Sequence, residues 1–136
     1  MPSIFIAEDD DQLRRFYKMA LESKGYKIIG MAGDGEEAIS MFKNLNIRPD
    51  IIILDYRMPN KNGIQILKEI FMIEERSKVI FASADATIKK EVMVKGAKLF
   101  LDKPFSLEEL YKSVTMVLEI QSNEKKINVI EQDSLL

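Results

Sequence analysis

Glu8 and Asp9 follow the apolar run Ile4 to Ala7, Asp55 closes the run Ile51 to Leu54, Ser83 comes directly after Val79 to Ala82, and Lys103 stands two residues past Leu101. Each sits at the carboxyl end of a short apolar segment, the end at which open α/β sheets bind ligands. Were the first and third segments neighbouring strands, about 4.8 Å apart, three carboxylates would crowd one edge. Two such charges about 4 Å apart repel by roughly 4 kcal/mol at an effective dielectric of about 20. Lys103 offsets one charge, and a hard divalent cation with oxygen ligands, Mg2+ above all, suits the remainder. Taken singly, each residue has a structural explanation: Asp10 or Asp11 caps a helix, Asp55 ends a strand, Lys103 is a solvated charge. Their joint occurrence at one sheet edge favours a chemical site.

Positioning these residues takes a regular alternation of elements. Ser3 to Ala7 reads as a strand that meets Glu8-Asp9-Asp10-Asp11, after which Leu13, Phe16, Tyr17, Ala20 and Leu21 recur at helical spacing until Gly25. Lys27 to Met31 makes a second strand, and Asp34 caps a helix carrying Ala38, Ile39, Phe42 and Leu45. Ile51 to Leu54 is the continuous run expected of a central strand buried on both faces. Turn residues through Gly63 precede a helix with Ile64, Leu67, Ile70 and Phe71. Val79 to Ala82 reads as a fourth strand, Thr87 to Lys95 as a weaker helix, and Leu99 to Leu101 as a fifth strand. Ser106 and Glu109 form a capping box for a last helix through Leu107, Leu110, Val114, Val117 and Leu118. Such alternation predicts an open, doubly wound parallel α/β sheet with helices on both faces.

The 136 residues suit one domain, and 46% hydrophobic with 31% charged residues is ordinary for a soluble globular chain. Lys and Arg number 20 against 22 Asp and Glu, a net charge of −2, so no positive field exists to hold nucleic acid or an anionic membrane. No apolar run approaches the roughly 18 residues of a membrane span or the length of a signal h-region, and the cytoplasm is the expected location. The absence of Cys excludes disulfide scaffolds and thiol catalysis, and the absence of His removes the commonest general base. Gly33-Asp34-Gly35-Glu36-Glu37-Ala38 matches a dinucleotide-binding turn in form, yet its three acids would oppose a pyrophosphate. A glycine turn with an Asp cap explains it better. Met19, Met72, Met93 and Met116 fall in predicted helices and read as fillers of the core.

The set Ile4-Phe5-Ile6-Ala7-Glu8-Asp9-Asp10, Ile53-Leu54-Asp55-Tyr56-Arg57-Met58-Pro59-Asn60, Gly63, Ser83-Ala84, Gly96-Ala97 and Lys103-Pro104-Phe105 resembles the receiver domain of two-component response regulators, in family order. The resemblance implies a flavodoxin-like sheet of order 2-1-3-4-5 with five helices. It also implies a phosphoryl group accepted on Asp55 from a sensor histidine kinase or phosphotransfer protein. Asp9 and Asp55 would then ligate Mg2+ directly, Glu8 through water, and Arg57 through its backbone carbonyl. Lys103 would pair with Asp55 and afterwards with a phosphoryl oxygen, and the Ser83 hydroxyl would donate to another. Phe100 would be an aromatic switch that turns inward, and the Lys103-Pro104 peptide would be cis. Arg57 and Asp85, two residues past the acceptor and the hydroxyl, are expected to flank the acyl phosphate and govern its hydrolysis.

On this reading residues 1–120 are the receiver domain and 121–136 a C-terminal tail without an effector domain, 16 residues being well below the roughly 50 of a small domain. The chain would be a switch with intrinsic autodephosphorylation rather than an enzyme. Its output would come from binding another, unspecified protein through a surface that phosphorylation remodels, a phosphorylation-dependent homodimer being one form. Within the tail, Gln121 to Lys126 reads as a polar hinge, and Ile127, Val129, Ile130, Leu135 and Leu136 as an apolar docking segment. The rival reading is a Mg2+-dependent phosphohydrolase of the haloacid-dehalogenase type. Such enzymes usually place a second Asp two residues after the nucleophile as general acid, whereas Arg57 cannot release a proton near neutral pH.

Overall fold

The computed structural model describes residues 1–134. The apolar runs form β1 (Ser3–Ala7), β2 (Lys27–Ala32), β3 (Ile51–Asp55), β4 (Val79–Ser83) and β5 (Leu99–Asp102). All neighbours pair in parallel, in the order β2-β1-β3-β4-β5, as the family resemblance implied. Every residue of β1, β3 and β4 is buried, which is why these strands read as unbroken apolar runs rather than alternating ones.

Side-chain alternation divides the core into two layers. Phe5, Ile52, Leu54, Phe81 and Phe100 pack toward α2 (Gly35–Asn44), α3 (Gly63–Ile73) and α4 (Lys89–Val94). Ile4, Ile6, Ile53, Ile80 and Leu101 pack toward α1 (Asp11–Ser23) and α5 (Leu107–Ser134). A one-residue slip of any strand would exchange these faces, so the register is firmly specified. β1 lies between β2 and β3, and the chain therefore leaves β1 and β3 toward opposite faces, opening the crevice where such sheets bind ligands. Ala7 pairs with Leu54, which brings Glu8 and Asp55 out side by side.

Three features depart from the sequence reading. The segment expected as a helix over Thr87 to Lys95 is a 3-10 turn, Ala86–Ile88, followed by the short α4. Asp85 caps that turn by accepting the Thr87 backbone N–H at 3.0 Å. The polar hinge is not a break: α5 runs without interruption through 121–126, because Leu107 to Ser134 contains neither Gly nor Pro and is rich in Glu, Lys and Leu. An ion pair between Glu124 and Lys78 ties this extension back to the sheet, while Ile127, Val129 and Ile130 stay exposed. Leu135 and Leu136 lie outside the described residues. The methionines are corrected as well. Met19, Met72, Met93 and Met116 are all exposed, Met72 to 86%, since they lie off the stripes that their helices bury, Tyr17, Ala20 and Leu21 in α1 and Ile66, Leu67 and Ile70 in α3.

Candidate functional site

Glu8, Asp9, Asp55, Arg57, Ser83, Asp85 and Lys103 line one open cleft of about 810 Å³ at the carboxyl edge of the sheet. Every side chain selected from the sequence for the site, Phe100 apart, is thus brought together. Glu8 and Asp55 are buried, at 1% and 6% exposure, because they leave the two central strands; Asp9, one residue later, is exposed. Carboxylate oxygens of Glu8, Asp9 and Asp55 lie within 4.8 Å of one another, a spacing and donor set that fit a hard divalent cation such as Mg2+.

Lys103 reaches across from the end of β5. Its Nζ donates to Glu8 Oε1 at 2.6 Å and to Asp55 Oδ1 at 3.0 Å. The expected pairing with Asp55 is present, but the shorter contact is to Glu8. Burial pushes the Glu8 carboxyl up to about 7, with the Asp55 charge adding to the rise and Lys103 restraining it. Burial likewise raises Asp55 above the usual carboxylate range, against the pull of Lys103. Burial works against the Lys103 charge, yet the two carboxylates outweigh it and raise the ammonium's pKa. The Lys103-Pro104 peptide is cis.

Ser83 is buried, and its Oγ accepts the Asp85 backbone N–H at 3.0 Å, which leaves the hydroxyl proton free to donate into the cleft. The backbone N–H of Lys103 donates to the Ser83 carbonyl at 3.0 Å, so the ends of β4 and β5 are clasped together. The Asp85 carboxylate accepts from the Thr87 hydroxyl and backbone N–H, and these donors hold it below its ordinary value. Phe100 sits on the far side of the sheet edge at 9% exposure, stacked on Phe81 with centroids 6.3 Å apart and planes 13° apart. It is turned inward.

Three further residues support the site, and of these only Arg14 was not singled out from the sequence. Asp10 is the α1 cap, accepting from the Gln12 and Leu13 N–H groups, and its own N–H donates to Glu8 Oε2 at 3.2 Å. Arg14 donates to the Glu8 carbonyl at 2.7 Å and pairs with Asp11, fixing the end of β1. Gly63 starts α3 so close to β3 that a Cβ there would stand 2.2 Å from the Asp55 carbonyl oxygen. A basic residue one turn into the helix after an acidic strand end is the signal that could have marked Arg14.

The family model for the response regulator receiver domain matches residues 4–115. The chain belongs to the response regulator receiver family. Among curated relatives, this receiver domain is 34% identical over 116 residues to the chemotaxis protein CheY of Thermotoga maritima, covering 84% of this chain and 95% of that protein. It is 35% identical over 120 residues to the protein CcdB of Bacillus subtilis, covering 87% and 98%. Against the regulatory protein AtoC of Escherichia coli it is 35% identical over 131 residues, 95% of this chain but only 28% of that protein. Among solved structures, the CheX–CheY–BeF3–Mg2+ complex from Borrelia burgdorferi superimposes with a TM-score of 0.82 at 32% identity, covering 86% of this chain and 89% of that one. The response regulator TrrA of Thermotoga maritima in complex with Mg2+ and BeF gives 0.77 at 29% identity, covering 86% and 99%. Receiver domains are signalling switches rather than classical enzymes, and they interact with histidine kinases and phosphotransfer proteins. In this one, no helix of the described residues is long and apolar enough to cross a membrane.

Proposed function

We propose that this chain is a stand-alone, cytoplasmic response regulator that accepts a phosphoryl group on Asp55 from a sensor histidine kinase or phosphotransfer protein, with Mg2+, and signals through a protein-binding surface that phosphorylation remodels. The observation that carries the reading is the sharing of one ammonium, Lys103, between two buried carboxylates beside a third, exposed one. Such a set is costly to bury and is retained at functional sites. Matches over nearly the whole length of CheY and CcdB support a receiver that works alone, with its domain ending inside α5 near residue 120 and 121–136 as an appendage.

The chemistry follows from where charge must go. A carboxylate oxygen of Asp55 forms a bond to phosphorus as the bond from phosphorus to the donor's nitrogen or oxygen breaks, its electron pair leaving with the donor. The protein's part is positioning and neutralisation. Glu8, Asp9 and Asp55, with the backbone carbonyl of Arg57, are the groups that would hold Mg2+, which when bound neutralises the crowded acids and the incoming phosphoryl oxygens. Phosphorylation removes the carboxylate charge on Asp55 and places more charge on the phosphoryl group, so Lys103 follows it. Ser83, with its proton unassigned in the resting site, donates to another phosphoryl oxygen. That contact draws the β4 end inward and gives the two states different energies, which is what a switch requires. Phe100, beside Phe81 on the next strand, is the core group placed to report the shift to the surface made by α4, β5 and α5. Arg57 and Asp85 flank the acyl phosphate and meter the approach of water.

Intact-mass measurement after incubation with acetyl phosphate and Mg2+ tests the proposal. A single added phosphoryl group, absent when the metal is chelated beforehand, is the expected result. No incorporation, or steady turnover of p-nitrophenyl phosphate without a phosphorylated intermediate on the chain, contradicts it.

A further inference from the structure

In the Gly33-Asp34-Gly35 turn Asp34 caps α2, accepting the Glu37 N–H at 2.8 Å, but a cap does not call for the glycine that follows it. The surroundings of Gly35 do. It is buried, and its N–H donates to the Pro59 carbonyl at 3.0 Å. A Cβ at this position would stand 2.3 Å from the Lys61 carbonyl oxygen, 2.5 Å from Lys61 Cβ and 2.8 Å from Lys61 Cα, none of which can turn aside. The Gly35 backbone is not left-handed, so the demand for glycine is one of space alone.

The segment pressed against Gly35 is the β3–α3 loop, 56–62, which carries the Arg57 carbonyl. At its base the Gly63 N–H donates to the Tyr56 carbonyl at 2.7 Å, and near its far end Lys61 pairs with Glu69 of α3 at 2.8 Å. Between them Asn60 already takes a left-handed φ of 71° to make the turn. With both ends held, a push at Lys61 is passed back through Pro59 and Met58 to Arg57. We propose that Gly35 is a positioning residue for the cation site: lacking a side chain, it lets the first turn of α2 brace the β3–α3 loop and so sets the Arg57 carbonyl where Mg2+ needs a ligand. This rests on the reading of that carbonyl as a cation ligand. Mg2+ demands near-ideal octahedral geometry, so a small displacement of one oxygen is felt in its affinity. The same stretch also touches the acids, because the carbonyl of Ala32, just before the turn, accepts the Glu8 N–H at 3.0 Å.

Gly35→Ala adds one methyl group and by helix propensity alone would favour α2. Its Mg2+ affinity, measured by calorimetric titration, should nevertheless fall about tenfold, as when a partner that orients a metal ligand is lost. Gly30→Ala controls for general loosening: its Cβ would stand 2.8 Å from the Phe5 ring, in the core, so its melting temperature should fall while its Mg2+ affinity stays at the parent's value. Arg57-Met58 is the single Arg-Met step in the sequence, so isotopic labelling of arginine carbonyls and methionine amides reports this one peptide by NMR. The Arg57 carbonyl signal should move when Mg2+ is added to the parent. In the metal-free state it should already be displaced in Gly35→Ala but not in Gly30→Ala. Should Gly35→Ala fail to fold, Asp34→Ala, which uncaps α2, decides in its place: affinity should fall and the Arg57 signal move, and Asp34→Asn, which keeps a cap, should restore both. Parent-like affinity or a parent-like Arg57 signal in the deciding variant, or an equal loss of affinity in Gly30→Ala, overturns the inference. A parent that binds Mg2+ without moving the Arg57 signal removes that carbonyl from the ligand set and the inference with it. A parent that shows no Mg2+ binding overturns the cation site itself, a failure that the parent's own titration tells apart from the others.

Discussion

Lys103 Nζ lies 2.6 Å from Glu8 Oε1 but 3.0 Å from Asp55 Oδ1, so the resting ammonium leans toward the acid that is not the acceptor. Asp55 is therefore incompletely neutralised, which suits a nucleophile, while Glu8 acts as a reservoir for the positive charge. Glu8, pushed up to about 7 mainly by burial, also makes the site sensitive to pH.

The sign of that sensitivity follows from linkage. The folded protein holds a proton on Glu8 at pH values where the unfolded chain has lost it. The stability this contributes is full below the ordinary value of 4.5 and is lost as pH rises through about 7. Cation binding moves the other way, because the ligand must be a carboxylate. Mg2+ affinity should thus climb between about pH 5.5 and about pH 8, with proton release on binding, and Glu8→Gln should flatten the climb. Calorimetric titration in buffers of different ionisation enthalpy measures both, and a flat profile in the parent would argue against a titrating Glu8.

Asp9 is the exposed member of the acidic trio, so its removal tests metal binding without disturbing the core. Asp9→Ala should weaken Mg2+ binding by about tenfold or more, since a hard-cation site depends on ligand charge, and should leave the melting temperature of the metal-free protein nearly unchanged. Parent-like titration by Asp9→Ala would remove Asp9 from the ligand set.

Arg57 and Asp85 both face the cleft, but they are not equivalent. The Asp85 carboxylate is engaged as the cap of the 3-10 turn, whereas no such structural duty falls to Arg57 among the hydrogen bonds of the described residues. Asp85→Ala should therefore lower the melting temperature slightly, as loss of a cap does, besides altering the lifetime of the acyl phosphate. Arg57→Ala should alter the lifetime alone. Dephosphorylation half-lives of the purified phosphoproteins decide this; values equal to the parent's in both variants would mean that neither side chain reaches the site.

The strands were legible because central parallel strands leave a plain signature, unbroken apolar runs such as Ile51 to Leu54, each ending in a polar residue, whereas their order was implied only by the family resemblance. The acidic trio and Lys103 were legible for the same reason: strand ends in such a sheet share one edge. What was not legible depended on distances that sequence does not carry. That Lys103 would favour Glu8 over Asp55 is a matter of side-chain reach, since Glu is one methylene longer than Asp. The methionines misled because an apolar residue inside a helix can still lie off the buried stripe, as Met19 does beside Tyr17 and Ala20. The passage of α5 through 121–126 was missed because polar composition was taken for a hinge, although polar residues such as Glu and Lys are good helix formers and only Gly or Pro would have marked a stop.

Glu124 gives that extension a measurable anchor. Lys78, largely buried, pairs with it, and Lys98 lies 3.8 Å away. Glu124→Ala should lower stability by about 1 to 2 kcal/mol, because it leaves Lys78 with a buried, unpaired charge. Truncation after Ile120 should do the same while leaving phosphorylation intact. Urea denaturation reads the first effect and acetyl phosphate labelling the second; unchanged midpoints would mean that the pair contributes nothing in solution.

Mapping the phosphoryl group to a residue tests the central claim most directly. After incubation with acetyl phosphate and Mg2+, borohydride reduction converts an aspartyl phosphate to homoserine, which peptide sequencing by mass spectrometry locates. The expected result is homoserine at position 55 in the parent and no incorporation in Asp55→Asn. Homoserine at another position, or stoichiometric labelling of Asp55→Asn with parent-like lability, would contradict the account.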